Sequence, residues 1–300
     1  MAHLRPATDA DSRACFELFE ETIDDLGRRT GVIANDTAGD PGAWETRRPL
    51  FDHLAATFDA WWVAEDGDGV LVGYARSILR DGTRELTEFF VRPGAQAAGV
   101  GRELLARTFP ADGARHRSII ATTDNRAIAR YLRAGLEGRV PMVGFEATPR
   151  PVTIETDLER EPLQPSGATV EEIGQLDRRL IGFRRDEDHR WLAAQRAGWV
   201  YRRAGAIVGY GYHPARPSWG GPFAAADPSD LPVLLADAET TAAEMGQATI
   251  TFDVALVARS AVDHLLGRGY RIDPFVMLYF SDVEPAGLDR YVLTSPPFFL

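Results

Sequence analysis

The chain has 300 residues, 45% of them hydrophobic and 26% charged, with a formal net charge of -11 and a pI near 5.1. That length fits two domains of roughly 150 residues, and that acidity excludes the basic face a nucleic-acid partner requires. No apolar run approaches the ~20 residues that span a bilayer, and the charged opening MAHLRPATDADSRACF has no apolar signal core, so the expectation is a cytoplasmic protein with no membrane partner.

Asp9 or Asp11 can cap a helix through Ala14, Phe16, Leu18, Phe19 and Ile23, whose apolar spacing is helical. Cys15 packs there as a small apolar residue; as the single cysteine it excludes an intrachain disulfide. Thr30 to Trp44 reads as a polar loop, and Glu45 to Ala56 as a second helix. Trp61 to Ala64 and Val70 to Ile78 form a hairpin around Asp66-Gly67-Asp68-Gly69, a strong turn signal. Leu86 to Val91 is the next strand, and Arg102 to Thr108 a helix. Ser118 to Thr123 is a short β-branched strand, and Asn125 to Ala134 a helix stopped by Gly135. Val140 to Ala147 and Val152 to Leu158 read as closing strands. Strands that alternate with helices and then pair as hairpins predict an α/β (α+β) fold with a mixed, mostly antiparallel sheet flanked by helices. Prolines 149, 151, 162 and 165 surround a charged stretch, which places a boundary near 160 and domains at 1–160 and 161–300.

The second half reads as a faded copy of the first. Trp62-Val63 recurs as Trp199-Val200, Val72-Gly73-Tyr74 as Val208-Gly209-Tyr210, and the helix-ending Gly135 as Gly269, at offsets of 137, 136 and 134. A near-constant offset points to duplication. The copy breaks at one place. The first half runs from the strand end Val91-Arg92-Pro93 into Gln96-x-x-Gly99-x-Gly101 and a helix, whereas the second has Ala226-Asp227-Pro228-Ser229-Asp230-Leu231-Pro232. Glycines let a backbone approach a ligand closely, and a helix N-terminus offers unpaired N–H groups, so the first loop fits a phosphate or pyrophosphate. Two aspartates would repel one, so phosphate binding belongs to the first half alone.

A dinucleotide fold needs G-x-G-x-x-G directly after a strand, and here Leu104 stands where the third glycine belongs. A P-loop fails because the chain has no Gly-Lys-Ser/Thr; with no lysine at all, Schiff-base chemistry is also excluded. The order of elements, V-R-P followed by Q-x-x-G-x-G, and then D-N-R-A-I-A-R-Y-L-R-A-G, resembles the GNAT N-acyltransferase superfamily over residues 1 to 160. Residues 165 to 300 resemble the same fold without its cofactor loop. The chain thus reads as two tandem GNAT-like domains, the second degenerate.

That resemblance implies acetyl-CoA as co-substrate, bound at a splay between two central parallel strands. Backbone groups around Phe90 and Val91 would pair with the pantetheine arm, and the backbone of Gln96, Ala97, Ala98, Gly99, Val100, Gly101 and Arg102 would hold the pyrophosphate. Asn125, or Asp124 by strict alignment, stands where the family has an asparagine near the cofactor. Glu88, on a strand where the family often keeps its base, is the candidate general base, with an edge charge as the alternative reading. Tyr131 matches the tyrosine that protonates the coenzyme A sulfur; the alternative is packing with Ile128 and Leu132.

The six histidines have no metal-ligand spacing, so no metal is expected. Asp186-Glu187-Asp188-His189 beside Arg184-Arg185 reads as mixed charge at a helix end, with an acceptor site lined by Arg184, Arg185 or Asp188 as the competing reading. Trp191, Trp199 and Trp219 read as second-half core. The expectation is an acetyltransferase acting by direct attack of a small-molecule or peptide amine, as monomer or homodimer. The alternative is an inactive protein that binds acyl-CoA or another small ligand as a sensor. The acceptor is not specified by these residues.

Overall fold

The structure, a computed structural model, describes residues 2–32, 40–95, 99–164, 166–213, 220–295 and 297–300. It divides the chain into one unit of Met1–Ile119 with Asp124–Glu137 and a second of Ile120–Thr123 with Gly138–Leu300.

The first unit opens on strand β1 (His3–Pro6), whose four residues are too few to show an alternating pattern in the sequence. The carboxylate of Asp11 accepts the Thr8 N–H at 2.8 Å and so fixes the entry to helix α1 (Ser12–Thr30). Helix α1 buries Cys15, Phe16, Leu18, Phe19, Ile23 and Leu26, the three-to-four spacing of one helical face. Helix α2 (Ala43–Thr57) starts two residues before the expected Glu45 and packs Phe51 edge-on to Phe16. Strands β2 (Phe58–Glu65) and β3 (Leu71–Arg80) form the expected hairpin, whose turn is set by Asp66 accepting the Asp68 and Val70 N–H groups at 3.0 Å each. Strand β4 (Thr83–Val91), helix α3 (Val100–Thr108), strand β5 (His116–Thr122) and helix α4 (Asn125–Arg133) follow. The strand order is β1-β2-β3-β4-β5, antiparallel except for the last, parallel pair.

The second unit contains β6 (Glu137–Ala147) from Gly138 onward, β7 (Glu159–Pro162), α5 (Gly167–Leu180), α6 (Asp186–Gln195), β8 (Gly198–Arg203) and β9 (Ala206–Tyr212). It continues with β10 (Phe223–Ala225), α7 (Leu231–Glu244), β11 (Ile250–Ala255), α8 (Arg259–Gly267), β12 (Arg271–Ser281) and β13 (Tyr291–Val292). Its strand order is β12-β6-β11-β13-β10-β9-β8-β7. Apolar clusters lie under α5 and α6, around Ile173, Leu176 and Leu192, and under α7 and α8, around Leu234, Leu235 and Val262.

From Gly138 onward β6 lies in the second compact unit, paired antiparallel with β11 from Ile250↔Ala147 to Ala255↔Met142. One expectation is corrected here: residues 152–158 are not a strand. The Val152 N–H donates to the Thr240 hydroxyl at 3.0 Å, and that hydroxyl donates to the Val152 carbonyl at 2.9 Å. A side chain of α7 thus satisfies the backbone that a sheet neighbour would otherwise pair.

The duplication is visible within each unit. Arg92 N–H donates to Val72 O at 2.9 Å, and Ala226 N–H to Val208 O at 2.7 Å. Gly73 pairs with Val91 as Gly209 pairs with Ala225. A Cβ on Gly73 would lie 3.1 Å from Leu104 of α3, and one on Gly209 would lie 3.4 Å from Leu234 of α7, so each glycine lets a helix press onto its sheet.

Candidate active site

The first unit's site starts from the end of β4. Strands β4 and β5 pair in parallel at Thr83↔His116, Arg84↔Arg117 and Glu85↔Ser118, and no further among the described residues. Immediately beyond, Thr87 is an extra residue against β3, where the register slips between Arg76 and Ser77. Such a bulge bends its strand and ends pairing locally. Residues Leu86 to Val91 therefore carry an edge that β5 does not occupy.

The chain then turns through Arg92 to Ala95, with Ala95 N–H donating to Arg92 O at 3.1 Å. Gln96, Ala97 and Ala98 lie outside the described residues. Gly99 is the N-cap of α3 at φ +80°, a left-handed backbone that a β-substituted residue resists. Having no side chain, it leaves the first turn of α3 uncapped from within. Val100 is buried against Gly73. A Cβ on Gly101 would stand 3.1 Å from the Phe89 ring and 3.2 Å from Nε of Arg130. Thus α4 delivers a guanidinium to the N-terminus of α3. Arg130 was not singled out from the sequence; the signal was its place one residue before Tyr131, on a helix already tied to the site. Arg102 is exposed, 3.5 Å from Glu103.

Tyr131 is buried on α4, its ring centroid 6.2 Å from that of Phe89. Burial pushes its phenol above the usual range, with Asp124 adding to the rise and Arg130 opposing it. The group is thereby kept in its O–H form. Asn125 is the exposed first residue of α4, and the cap is Asp124, which accepts the Arg126 N–H and binds Arg29 of α1 at 2.8 Å. Val91 is buried at the strand end, and Phe90 packs on Phe19 and Tyr74.

Glu88 is enclosed. Its carboxylate accepts from the Tyr74 hydroxyl at 2.9 Å and from Nε of Arg76, and the side chains of both Glu88 and Arg76 are fully buried. The Arg76 guanidinium lies 4.4 Å over the Trp61 ring and also donates to Phe51 O at 3.3 Å. Strand alternation places Glu88 on the α1 and α2 side and Phe89 on the side of Tyr131. Glu88 and Tyr131 are therefore not brought to one face of β4.

In the second unit the charged stretch of α6 is also sealed. Asp177, Arg185 and His189 are completely buried. Asp177 accepts from Arg185 at 2.7 Å, from Tyr210 at 2.5 Å and bonds His189 Nε2 at 2.8 Å. Burial would raise the Asp177 carboxyl, but Arg185, His189 and Tyr210 outweigh it and hold it at about 2. Arg185 and Asp188, both 0% exposed, cannot line an acceptor site, and Arg184 is paired with Glu171 and Asp186. A surface cavity of about 740 Å³ is lined by Glu146, Arg150, Arg268 and Arg271 among others. Two of its arginines are already engaged: Arg268 binds Glu239 at 2.8 Å, and Arg150 and Arg268 donate to each other's carbonyls. Trp191 and Trp199 pack on Phe299 and His213, while Trp219 lies outside the described residues.

Residues 58–136, from β2 to the end of α4, match the family profile described as an acetyltransferase (GNAT) domain. Within that segment the chain resembles a GNAT domain. No curated protein matches it in sequence. Among solved structures, a candidate acetyltransferase from Pyrococcus horikoshii superposes at TM-score 0.69 with 15% identity, over 97% of this chain and 92% of that one. A GCN5-related N-acetyltransferase from Sphaerobacter thermophilus gives 0.62 and 15%, over 93% and 95%. A tandem GNAT protein from the clavulanic acid biosynthesis pathway gives 0.54 and 13%, over 94% and 98%. These likenesses are of fold: a mixed, mostly antiparallel GNAT sheet flanked by helices. The matched segment 58–136 contains β4, α3 and α4, the elements that carry the site described above.

Proposed function

We propose that the first unit is an acetyl-CoA-dependent N-acyltransferase that passes an acetyl group to a small-molecule or peptide amine by direct attack. The observation that carries this reading is one juxtaposition. The glycine-capped N-terminus of α3, with Gly101 pressed between Phe89 and Arg130, opens beside the stretch of β4 past Glu85 that β5 does not pair. Helix N–H groups and a guanidinium suit a pyrophosphate, and the parting of two parallel strands suits an amide-bearing arm laid along one of them.

Acetyl-CoA would supply the activated thioester carbonyl. The backbone from Gly99 to Arg102, with Arg130 and Arg102 adding charge, would hold its diphosphate, and Phe90 and Val91 would pair with its pantetheine through their main chain. The Asn125 side chain would lie beside the arm at the start of α4. Tyr131, held protonated by burial, would donate its O–H to the departing sulfur as the C–S bond breaks, and the proton that the acylated nitrogen loses to water would restore it. The enclosed pairing of Glu88 with Arg76 and Tyr74 supports a positioning role for it: it fixes β3 against β4 on the α1 side. The same enclosure favours a second reading, a GNAT fold that binds acyl-CoA without turnover.

Incubating the full chain with acetyl-CoA and a panel of amines, while following release of free coenzyme A thiol, separates the two. An enzyme releases thiol with at least one amine and loses about a hundredfold in rate on Tyr131→Phe. Binding of acetyl-CoA with no release for any amine would replace the first reading by the second.

A further inference from the structure

In the second unit the place equivalent to the cofactor slot already holds a strand. Strand β10 stands for the end of β4: Ala226 N–H reaches Val208 O as Arg92 N–H reaches Val72 O, which sets Ala224 and Ala225 in the places of Phe90 and Val91. Strand β11 follows α7 as β5 follows α3. In the first unit β4 and β5 are direct neighbours, bare of each other past Glu85. Here β13 lies between the two, pairing Phe223↔Val292 and Ala224↔Tyr291 on one side and Val254↔Val292 on the other.

The inserted segment is held along its length. Leu293 N–H donates to Asp253 O and Ser295 N–H to Gly220 O, both at 2.9 Å. The buried Arg196 guanidinium donates to Gly220 O at 2.7 Å, Thr294 Oγ1 at 3.0 Å and Ser295 O at 2.8 Å. Tyr291, Val292, Leu293 and Thr294 are at most 1% exposed. The sequence makes room for them: a Cβ on Gly221, at φ +69°, would stand 2.2 Å from Leu293 O. The helix end of the slot is occupied as well. Asp227 accepts the Ser229 N–H at 2.9 Å, and the half-turn before α7 places Asp230 against Arg203 at 2.9 Å. Two of the chain's own carboxylates thus stand at the end of the slot where an anion would bind, and their charge disfavours one there.

We propose that the segment Tyr291–Ser295 is a built-in occupant of the second unit's strand slot, closing that copy to acyl-CoA. The consequence that each chain takes one acyl-CoA, in the first unit, rests on the function proposed above. Closure itself does not.

Amide hydrogen exchange on the full chain, alone and with saturating acetyl-CoA, tests both parts separately. In the free chain, Leu293 and Ser295 amides are expected to exchange about a thousandfold or more slowly than in an unstructured chain, as core-strand amides do. With acetyl-CoA, new protection is expected in 86–95 and 99–105 and none in Phe223–Ala225 or Ile250–Ala255. Fast exchange at Leu293 and Ser295, or acetyl-CoA-dependent protection of β10 and β11, would overturn the closed slot. Slow exchange at those two amides with no acetyl-CoA effect anywhere would uphold it while removing the acyl-transfer reading of the first unit.

Discussion

Tyr131 and Leu265 occupy the same place in two copies of one helix end. Leu136 N–H donates to Tyr131 O at 3.1 Å, and Tyr270 N–H donates to Leu265 O at 3.0 Å, each across a left-handed glycine that stops the helix. The backbone is duplicated and the hydroxyl is not. The hydroxyl proposed to donate a proton stands in one copy and has no counterpart in the other, which makes Tyr131 the residue whose removal is most informative.

Tyr131→Phe keeps the ring against Phe89 and deletes one oxygen. If that oxygen carries the proton to the sulfur, kcat should fall about a hundredfold while acetyl-CoA affinity stays within about twofold. Steady-state kinetics beside a binding titration check this. An equal loss of affinity and rate would make the hydroxyl a binding group.

The buried pair Arg76–Glu88 is expected to act on stability before it acts on rate. Glu88→Gln leaves a guanidinium enclosed without its counter-charge and should cost about 3–5 kcal/mol in urea unfolding. Replacing both residues by apolar ones of similar size should recover most of that loss. Were Glu88 instead a base in contact with substrate, Glu88→Gln would unfold like the parent and lose turnover.

Gly99→Asp copies into the first unit the residue type that stands at the N-cap position of α7. Aspartate is a good N-cap and tolerates left-handed backbone better than most residues, so the unfolding free energy should change by no more than about 1 kcal/mol. Its carboxylate at the mouth of α3 should weaken acetyl-CoA binding at least tenfold, read by titration calorimetry. Unchanged affinity would mean that the diphosphate lies elsewhere.

Asp253 gives the second unit a pH signature. Burial pushes its carboxyl up to about 6; a Ser295 hydrogen bond pulls it back, and Asp273 raises it further. The native state binds this proton more tightly than the unfolded chain. The stability it contributes is therefore full below the ordinary value of 3.8 and is lost as pH rises through about 6. Asp253→Asn should flatten that slope and add about 2 kcal/mol at pH 7, seen as a rise in Tm. A slope unchanged in the variant would assign it to another group.

Much of the frame was legible in residue order. The Asp66-Gly67-Asp68-Gly69 turn, the apolar face of α1 and the repeated Val-Gly-Tyr each encode local geometry, and each lies where its pattern requires. The glycine pair Gly99 and Gly101 was legible for the same reason: backbone conformation and close approach are properties of the residue itself. What depended on distant partners was not. Glu88 looked available until the fold set Arg76 and Tyr74 on its carboxylate, and Val152–Leu158 looked like a strand until Thr240 took its backbone. The inserted β13 carries no local motif; only tertiary pairing reveals it.

The most direct measurement of the central claim is a calorimetric titration of acetyl-CoA into the full chain, run beside Gly99→Asp, with Tm followed at high ligand. The account predicts one binding event per chain, weakened at least tenfold in the variant, and about 2.7 kcal/mol of added stability at a hundred times the dissociation constant. No heat and no shift with acetyl-CoA would contradict it.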